Sequence, residues 1–163
     1  MMEILFIQTG GTIDKDYPKT TKGWAFEINE PAVGRILDKI NPSFSFKILS
    51  LLKKDSMEID QKDRSLLADE CEKSIEKKII ITHGTDTIIE TAKFLSKIKN
   101  KTIILTGSMR PERFSNSDAN INIGVAIGGV QSLKNGVYIA LNGLIMPFDK
   151  VKRNMETGQF MLN

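Results

Sequence analysis

Apolar, β-branched runs alternate with amphipathic stretches along the whole chain, and each apolar run stops at a cluster of small and polar residues. Residues 4–8, 44–52, 79–82, 102–105 and 137–142 read as strands, being short, rich in Ile, Leu, Phe and Val, and bounded by turn-forming residues. Helical periods lie between them. Residues 30–40 place Val33, Ile36, Leu37 and Ile40 on one face, with Pro31 suited to a first helical position. Residues 60–77 set Leu66, Leu67, Cys71 and Ile75 against a charged remainder, which predicts an amphipathic helix. Residues 87–98 carry a stripe of Ile88, Ala92 and Leu95, joined by Phe94, and Thr87 and Glu90 have capping-box spacing. Residues 118–133 predict a helix of small residues. Two stretches fall outside the pattern: a polar loop over 14–23, with aromatic exits at Tyr17, Trp24 and Phe26, and an irregular basic tail after residue 142.

Strands separated by helices of this length imply right-handed crossovers and a parallel sheet. The expected fold is α/β: a three-layer, mostly parallel sheet with helices on both faces, Rossmann-like or flavodoxin-like, in one domain over residues 1–163. Three apolar strands end in similar polar turns, IQTGGT, IITHGTDT and ILTGSMRP. In a parallel sheet all three belong to one edge, the carboxyl edge where open α/β sheets hold ligands.

Composition narrows the partners. The chain has 163 residues and a formal charge of +3 spread over 23 basic and 20 acidic side chains. The basic clusters lack interleaved aromatic residues, so nucleic acid is not expected as a partner. No run of 18 apolar residues is present, which argues against a membrane span, and the N-terminal MMEILFIQTGG lacks the basic start of a signal peptide. Cys71 has no second cysteine to pair with, which fits a reducing compartment; a cytoplasmic location is expected.

Several familiar catalytic devices are missing from the sequence. There is one histidine, no cysteine pair of zinc spacing, no phosphate-binding GxxxxGK[ST] loop and no GxSxG elbow. The turns offer hydroxyls instead. Thr12, Thr85 and Asp86, with backbone N–H groups at Gly11 and Gly84 to hold an oxyanion, suit nucleophilic acyl transfer. The missing part is a base. His83 precedes its turn on a buried strand and reads as structural packing, whereas Lys152 would serve if burial lowered its pKa. Each residue also has a plainer reading: Thr12 as a turn residue, Asp86 as a helix cap, Ser56 as a cap or turn residue.

Taken together, TGGTI, ITHGTDT and TGSMRP resemble the amino-terminal domain of bacterial-type L-asparaginases, in order and spacing, from residue 1 to about 154. The resemblance implies that Thr12 is the nucleophile, assisted by a tyrosine of the following loop, for which Tyr17 is the choice and Trp24 an alternative lid. It implies that Thr85 and Asp86 are the second threonine and the aspartate that holds the substrate amino group. Ser56 in KDSMEID matches the serine that binds the substrate carboxylate, Lys152 in FDKVKRN matches the family lysine better than Lys150, and the Ser108 backbone would lie near the side-chain amide. Members hydrolyse asparagine to aspartate and ammonia, often with some glutaminase activity, and need no metal or organic cofactor. Their chains are about twice as long, and a second domain contributes an acidic residue across a dimer interface. This sequence is therefore read as a short form without that domain, acting on L-asparagine or a related small amide. The alternative is a binding or sensing module that kept the pocket without turnover. A homo-oligomer, dimer or tetramer, is expected, with AIGGV (126–130) either packing between subunits or onto its own sheet.

Overall fold

The computed structural model describes residues 2–19 and 26–163. Its elements are β1 (Glu3–Gly10), β2 (Lys15–Asp16), β3 (Glu27–Ile28), α1 (Ala32–Ile40), β4 (Ser45–Lys54), α2 (Gln61–Lys73), β5 (Lys78–Thr82), α3 (Ile88–Leu95), β6 (Thr102–Thr106), α4 (Ala119–Ser132), β7 (Gly136–Leu141), β8 (Leu144–Pro147), β9 (Val151–Arg153) and β10 (Phe160–Leu162). The main sheet has the order β4-β1-β5-β6-β7-β8. Its first five strands are parallel and β8 returns antiparallel to β7.

Strand alternation divides the core in two. Leu5, Ile7, Ile79, Ile81, Ile103 and Leu105 point to one face, against Leu67 and Cys71 of α2 and Ile88, Ala92 and Leu95 of α3. Ile4, Phe6, Ile80 and Ile104 point to the other, against Val33, Ile36 and Leu37 of α1 and Ile123, Ala126 and Val130 of α4. The predicted three-layer α/β architecture is therefore present. Each fully buried Ile or Leu contributes about 2 kcal/mol, so the central strands β1, β5 and β6 anchor the edge at which they end.

Local differences from the sequence expectation have local causes. Pro31 is the N-cap of α1, one position before the helix. The second helix stops at Lys73, so Ile75 lies in the connection beyond it, 81% exposed, and Leu66 also faces solvent; the buried stripe is Asp63, Arg64, Leu67 and Cys71. Thr87 makes no capping bond, because its hydroxyl donates to the Ser56 carbonyl at 2.8 Å. The tail expected to be irregular forms β8 and the β9–β10 hairpin, whose Val151 and Phe160 close the first core. In AIGGV, Ala126, Gly129 and Val130 pack inward, and a side chain at Gly129 would run into Ile145 and Ile104.

Candidate active site

The carboxyl edge is built by backbone pressed on backbone. Gly11 sits at φ 88°, and a Cβ there would meet the Gly84 backbone nitrogen. A Cβ at Gly84 would lie 2.6 Å from Ser56 Cβ, and one at Gly107 would overlap the His83 carbonyl. Only glycine lets the TGGT, HGTDT, KDS and TGS segments approach this closely. The three turns predicted to share an edge are thus packed together, and the KDSMEID loop joins them. Thr87 ties that loop down through the Ser56 carbonyl, and Asp55 caps the 3-10 turn Ser56–Glu58.

Beneath the HGTDT turn runs a buried chain of hydrogen bonds. Arg64 Nε donates to Thr91 Oγ1 at 3.1 Å, Thr91 Oγ1 donates to His83 Nε2 at 2.9 Å, and His83 Nδ1 donates to the Gly84 carbonyl at 2.7 Å. The acceptor-only carbonyl assigns this tautomer. Burial pushes the His83 imidazole down to about 4, with the nearby Arg64 charge acting the same way against the Gly84 bond. His83 is neutral and its two ring nitrogens are committed, so it holds the turn's shape. On the next turn, Asn122 Nδ2 donates to the Gly107 carbonyl at 2.9 Å.

The residues singled out from sequence divide into those brought together and those held apart. Thr12 opens a 3-10 turn, Thr12–Asp14, and Thr85 follows Gly84; both are half-buried at the junction of the first two turns. Ser56 is 2% exposed and packs on Gly84. Ser108 is buried with its hydroxyl donating to the Arg110 carbonyl, so its side chain serves its own turn. Gly11 N–H, expected to help hold an oxyanion, donates instead to the Lys54 carbonyl at 3.0 Å; the N–H groups of Thr12, Gly84 and Thr85 have no partner among the described residues. Asp86 is not a helix cap, since α3 begins after Thr87, and its Oδ1 accepts from Arg153 Nη1 at 2.7 Å. Lys152 alternates outward on β9, opposite Met161, and is exposed without a side-chain partner among the described residues. The burial that would make it a base is absent here. Tyr17 is 74% exposed, its ring edge-on to Phe26 at 5.2 Å, and Trp24 lies outside the described residues.

Two residues emerge only in three dimensions. Asp14, two positions after Thr12, is fully buried and accepts from Ala32 N–H at 2.8 Å; desolvation outweighs that bond and the Arg35 and Lys53 charges, and raises its carboxyl to about 7. Arg153 reaches back to the HGTDT turn. The strand alternation Val151-in, Lys152-out, Arg153-in would have pointed to it, had the tail been read as a strand.

Fold and edge together define an α/β protein with hydroxyl-rich turns packed together at the carboxyl ends of parallel strands. The chain belongs to the asparaginase family: the family model described as "Asparaginase, N-terminal" matches residues 3–159. It is 28% identical to a glutaminase-asparaginase of Acinetobacter glutaminasificans, over 97% of this chain and 52% of the relative. It is 30% identical to an L-asparaginase of Thermococcus kodakarensis, over 93% of this chain and 48% of the relative. The solved structure of the thermostable L-asparaginase from Thermococcus kodakarensis superposes with a TM-score of 0.83 at 25% identity, covering 99% of this chain and 51% of that one. The chain spans about half the length of the relatives it matches.

Proposed function

We propose that this site hydrolyses the side-chain amide of L-asparagine, or of a related small amide, to the acid and ammonia through an acyl-enzyme on Thr12. The observation that carries this reading is the glycine-to-glycine contact of Gly11 with Gly84, which sets the Thr12 and Thr85 hydroxyl-bearing residues on two touching turns. The names of the relatives, glutaminase-asparaginase and L-asparaginase, point the same way. Thr12 Oγ attacks the amide carbonyl, unpartnered N–H groups of the two turns hold the oxyanion, ammonia leaves, and water resolves the ester. Thr85 and Lys152 relay the proton and Asp86 orients them. Lys152 lies on the hairpin that Arg153 fastens to Asp86, one residue from that contact. Ser56 faces the substrate carboxylate, the Ser108 backbone faces the amide, and Tyr17 assists Thr12 from its loop. The working form is a homo-oligomer, dimer or tetramer, which light scattering would test.

Ammonia release from asparagine tests the reaction. Thr12→Ala is expected to reduce it about a thousandfold with an unchanged thermal transition. Unaltered release in that variant would remove the nucleophile from the scheme. A second reading, amino-acid binding without turnover, has its own support in the exposed position of Lys152. Calorimetric binding of asparagine with no ammonia formed would select it.

A further inference from the structure

The turn that carries Thr12 is held both from within and from neighbouring segments. Within Thr12–Asp14, the Asp14 N–H donates to the Gly11 carbonyl at 3.2 Å and the Lys15 N–H closes on the Thr12 carbonyl. From outside, the Ile13 carbonyl accepts from Glu112 N–H at 3.1 Å and the Asp14 carbonyl from Asn29 N–H at 3.0 Å. A side chain completes the hold. Asp14 is 0% exposed, and its Oδ1 accepts from the N–H of Ala32, the first residue of α1, at 2.8 Å. Pro31 gives α1 no capping bond and the first turn of that helix has no acid of its own. The Asp14 carboxyl, 18 residues earlier in the chain, supplies the negative group that a helix start favours.

The other carboxyl oxygen sets this contact apart from an ordinary cap. Asp14 Oδ2 and Arg35 Nη2 are both buried without a hydrogen-bond partner among the described residues. Arg35 lies about one turn along α1, where its Nε donates to Glu112 at 2.8 Å. Burial raises the Asp14 carboxyl to about 7, against the Ala32 bond, the neutral Gln8 amide of β1, Arg35 of α1 and Lys53 of β4, which all favour the ionised form. Lys53 is itself shared with Glu30 at 3.2 Å, and Asp16, the next acid along, is turned onto Arg113 at 2.8 Å. Ionisation of Asp14 is costly for the fold, but it strengthens the bond to Ala32, since a charged acceptor holds an N–H about twice as strongly as a neutral one. It also gives Oδ2 a charge that the unpartnered guanidinium nitrogen on the same helix complements.

We infer that Asp14 is a positioning residue for Thr12: its buried carboxylate, seated on the N–H of Ala32, fixes the turn that presents the nucleophile hydroxyl, and fixes it more firmly when ionised. Asp14 acts through the backbone of the turn and not on the substrate. The assignment rests on the amide-hydrolysis reading for Thr12 as nucleophile, while the hold on the turn stands on Asp14, Ala32 and Arg35 alone. A cap that served only the fold would lose stability and activity together as the carboxyl ionises. A positioning carboxylate separates the two: with rising pH the wild type becomes less stable relative to Asp14→Asn, yet turns over faster relative to it.

The experiment measures kcat and KM for ammonia release from asparagine by the wild type, Asp14→Asn and Asp14→Ala at about pH 6 and about pH 8, with urea midpoints and amide hydrogen exchange under the same conditions. Asp14→Asn keeps an acceptor for Ala32 but cannot ionise. Dividing the wild-type kcat by that of Asp14→Asn cancels every titration the two proteins share. This ratio is expected to be near one at the lower pH and about fivefold at the higher, with KM changed less than about twofold at both. Asp14→Ala, which loses the acceptor, is expected to fall about tenfold in kcat at both. Exchange of the Ala32 amide, corrected for its intrinsic pH dependence, should be about fivefold slower in the wild type than in Asp14→Asn at the higher pH and equal at the lower. A kcat ratio that stays constant with pH, or that falls along with the urea midpoints, overturns the assignment. Absence of ammonia from the wild type sinks hydrolysis, and the Ala32 amide then decides the hold on the turn: slower exchange supports it and equal exchange overturns it. Asp14→Asn suffices where Asp14→Ala fails to fold.

Discussion

The HGTDT turn has two sides, and they are built by different means. Its inner side is neutral and closed: Gly84 presses on Gly11 and Ser56, and His83 is wired through Thr91 to Arg64. Its outer side is charged and half open, with Asp86 reaching solvent and meeting Arg153 from the end of the chain. The inner contacts cannot shift by a few tenths of an ångström without overlap, whereas the outer pair can part at small cost. Position of the turn is therefore set from below, and charge at the site is set from above. A site divided in this way can change what it accepts through the hairpin without disturbing where its hydroxyls stand.

The sharpest way to test that division is to cut the inner wiring. Thr91→Val keeps the shape of the side chain but removes the hydroxyl that accepts from Arg64 Nε and donates to His83 Nε2. Two buried polar groups would then lack partners, at a cost of about 2–3 kcal/mol. Urea denaturation should show a lower midpoint with an unchanged slope. A shift below about 0.5 kcal/mol would mean that the chain of bonds does not hold the turn.

Titration gives an intermediate test, because the buried groups under the two turns oppose each other. His83 has a folded pKa of about 4, below its ordinary 6.5, so the stability it contributes is present above pH 6.5 and is lost as pH falls toward 4. Asp14 has a folded pKa of about 7, above its ordinary 3.8, so its contribution is present below pH 3.8 and is lost as pH rises toward 7. Between pH 5 and 7 the two slopes partly cancel. Asp14→Asn should therefore lose stability relative to wild type as pH falls from 7 to 5, and His83→Gln should gain it, each by about 1–2 kcal/mol. Denaturation midpoints at the two pH values read the difference directly, and parallel curves for all three proteins would contradict it.

The unequal legibility of the two sides has the same origin. Ile79–Ile81, the TGGT, HGTDT and TGS turns, and the structural role of His83 follow from local pattern, since a buried strand followed by glycine has few ways to continue. Arg153 is hard to find in the sequence because its partner Asp86 is 67 residues away and its strand is three residues long. A segment that short does not announce itself as a strand, so its alternation goes unused, and pairing with β10 supplies what propensity does not. Thr87 illustrates the converse error: the capping-box spacing with Glu90 is real, but a long-range bond to Ser56 outcompetes the local one. The second helix is shorter than its pattern predicts, because Ile75 continues the apolar period after the backbone has turned away at Ser74.

The smallest expected effect on stability is the most informative about the outer side. Asp86→Asn replaces the ion pair with Arg153 by a neutral hydrogen bond at a position that is 54% exposed. Solvent already screens that pair, and Arg153 retains the Gly158 carbonyl and the Phe160 ring, so the loss should be less than about 1 kcal/mol. Thermal melts of this variant beside Thr91→Val make the comparison under one set of conditions. Should Asp86→Asn cost as much as Thr91→Val, the β9–β10 hairpin would have to be counted with the rigid inner side. The charge above the site would then be as fixed as the hydroxyls below it. A small loss would instead mean that the contact over the turn contributes little to holding the fold together.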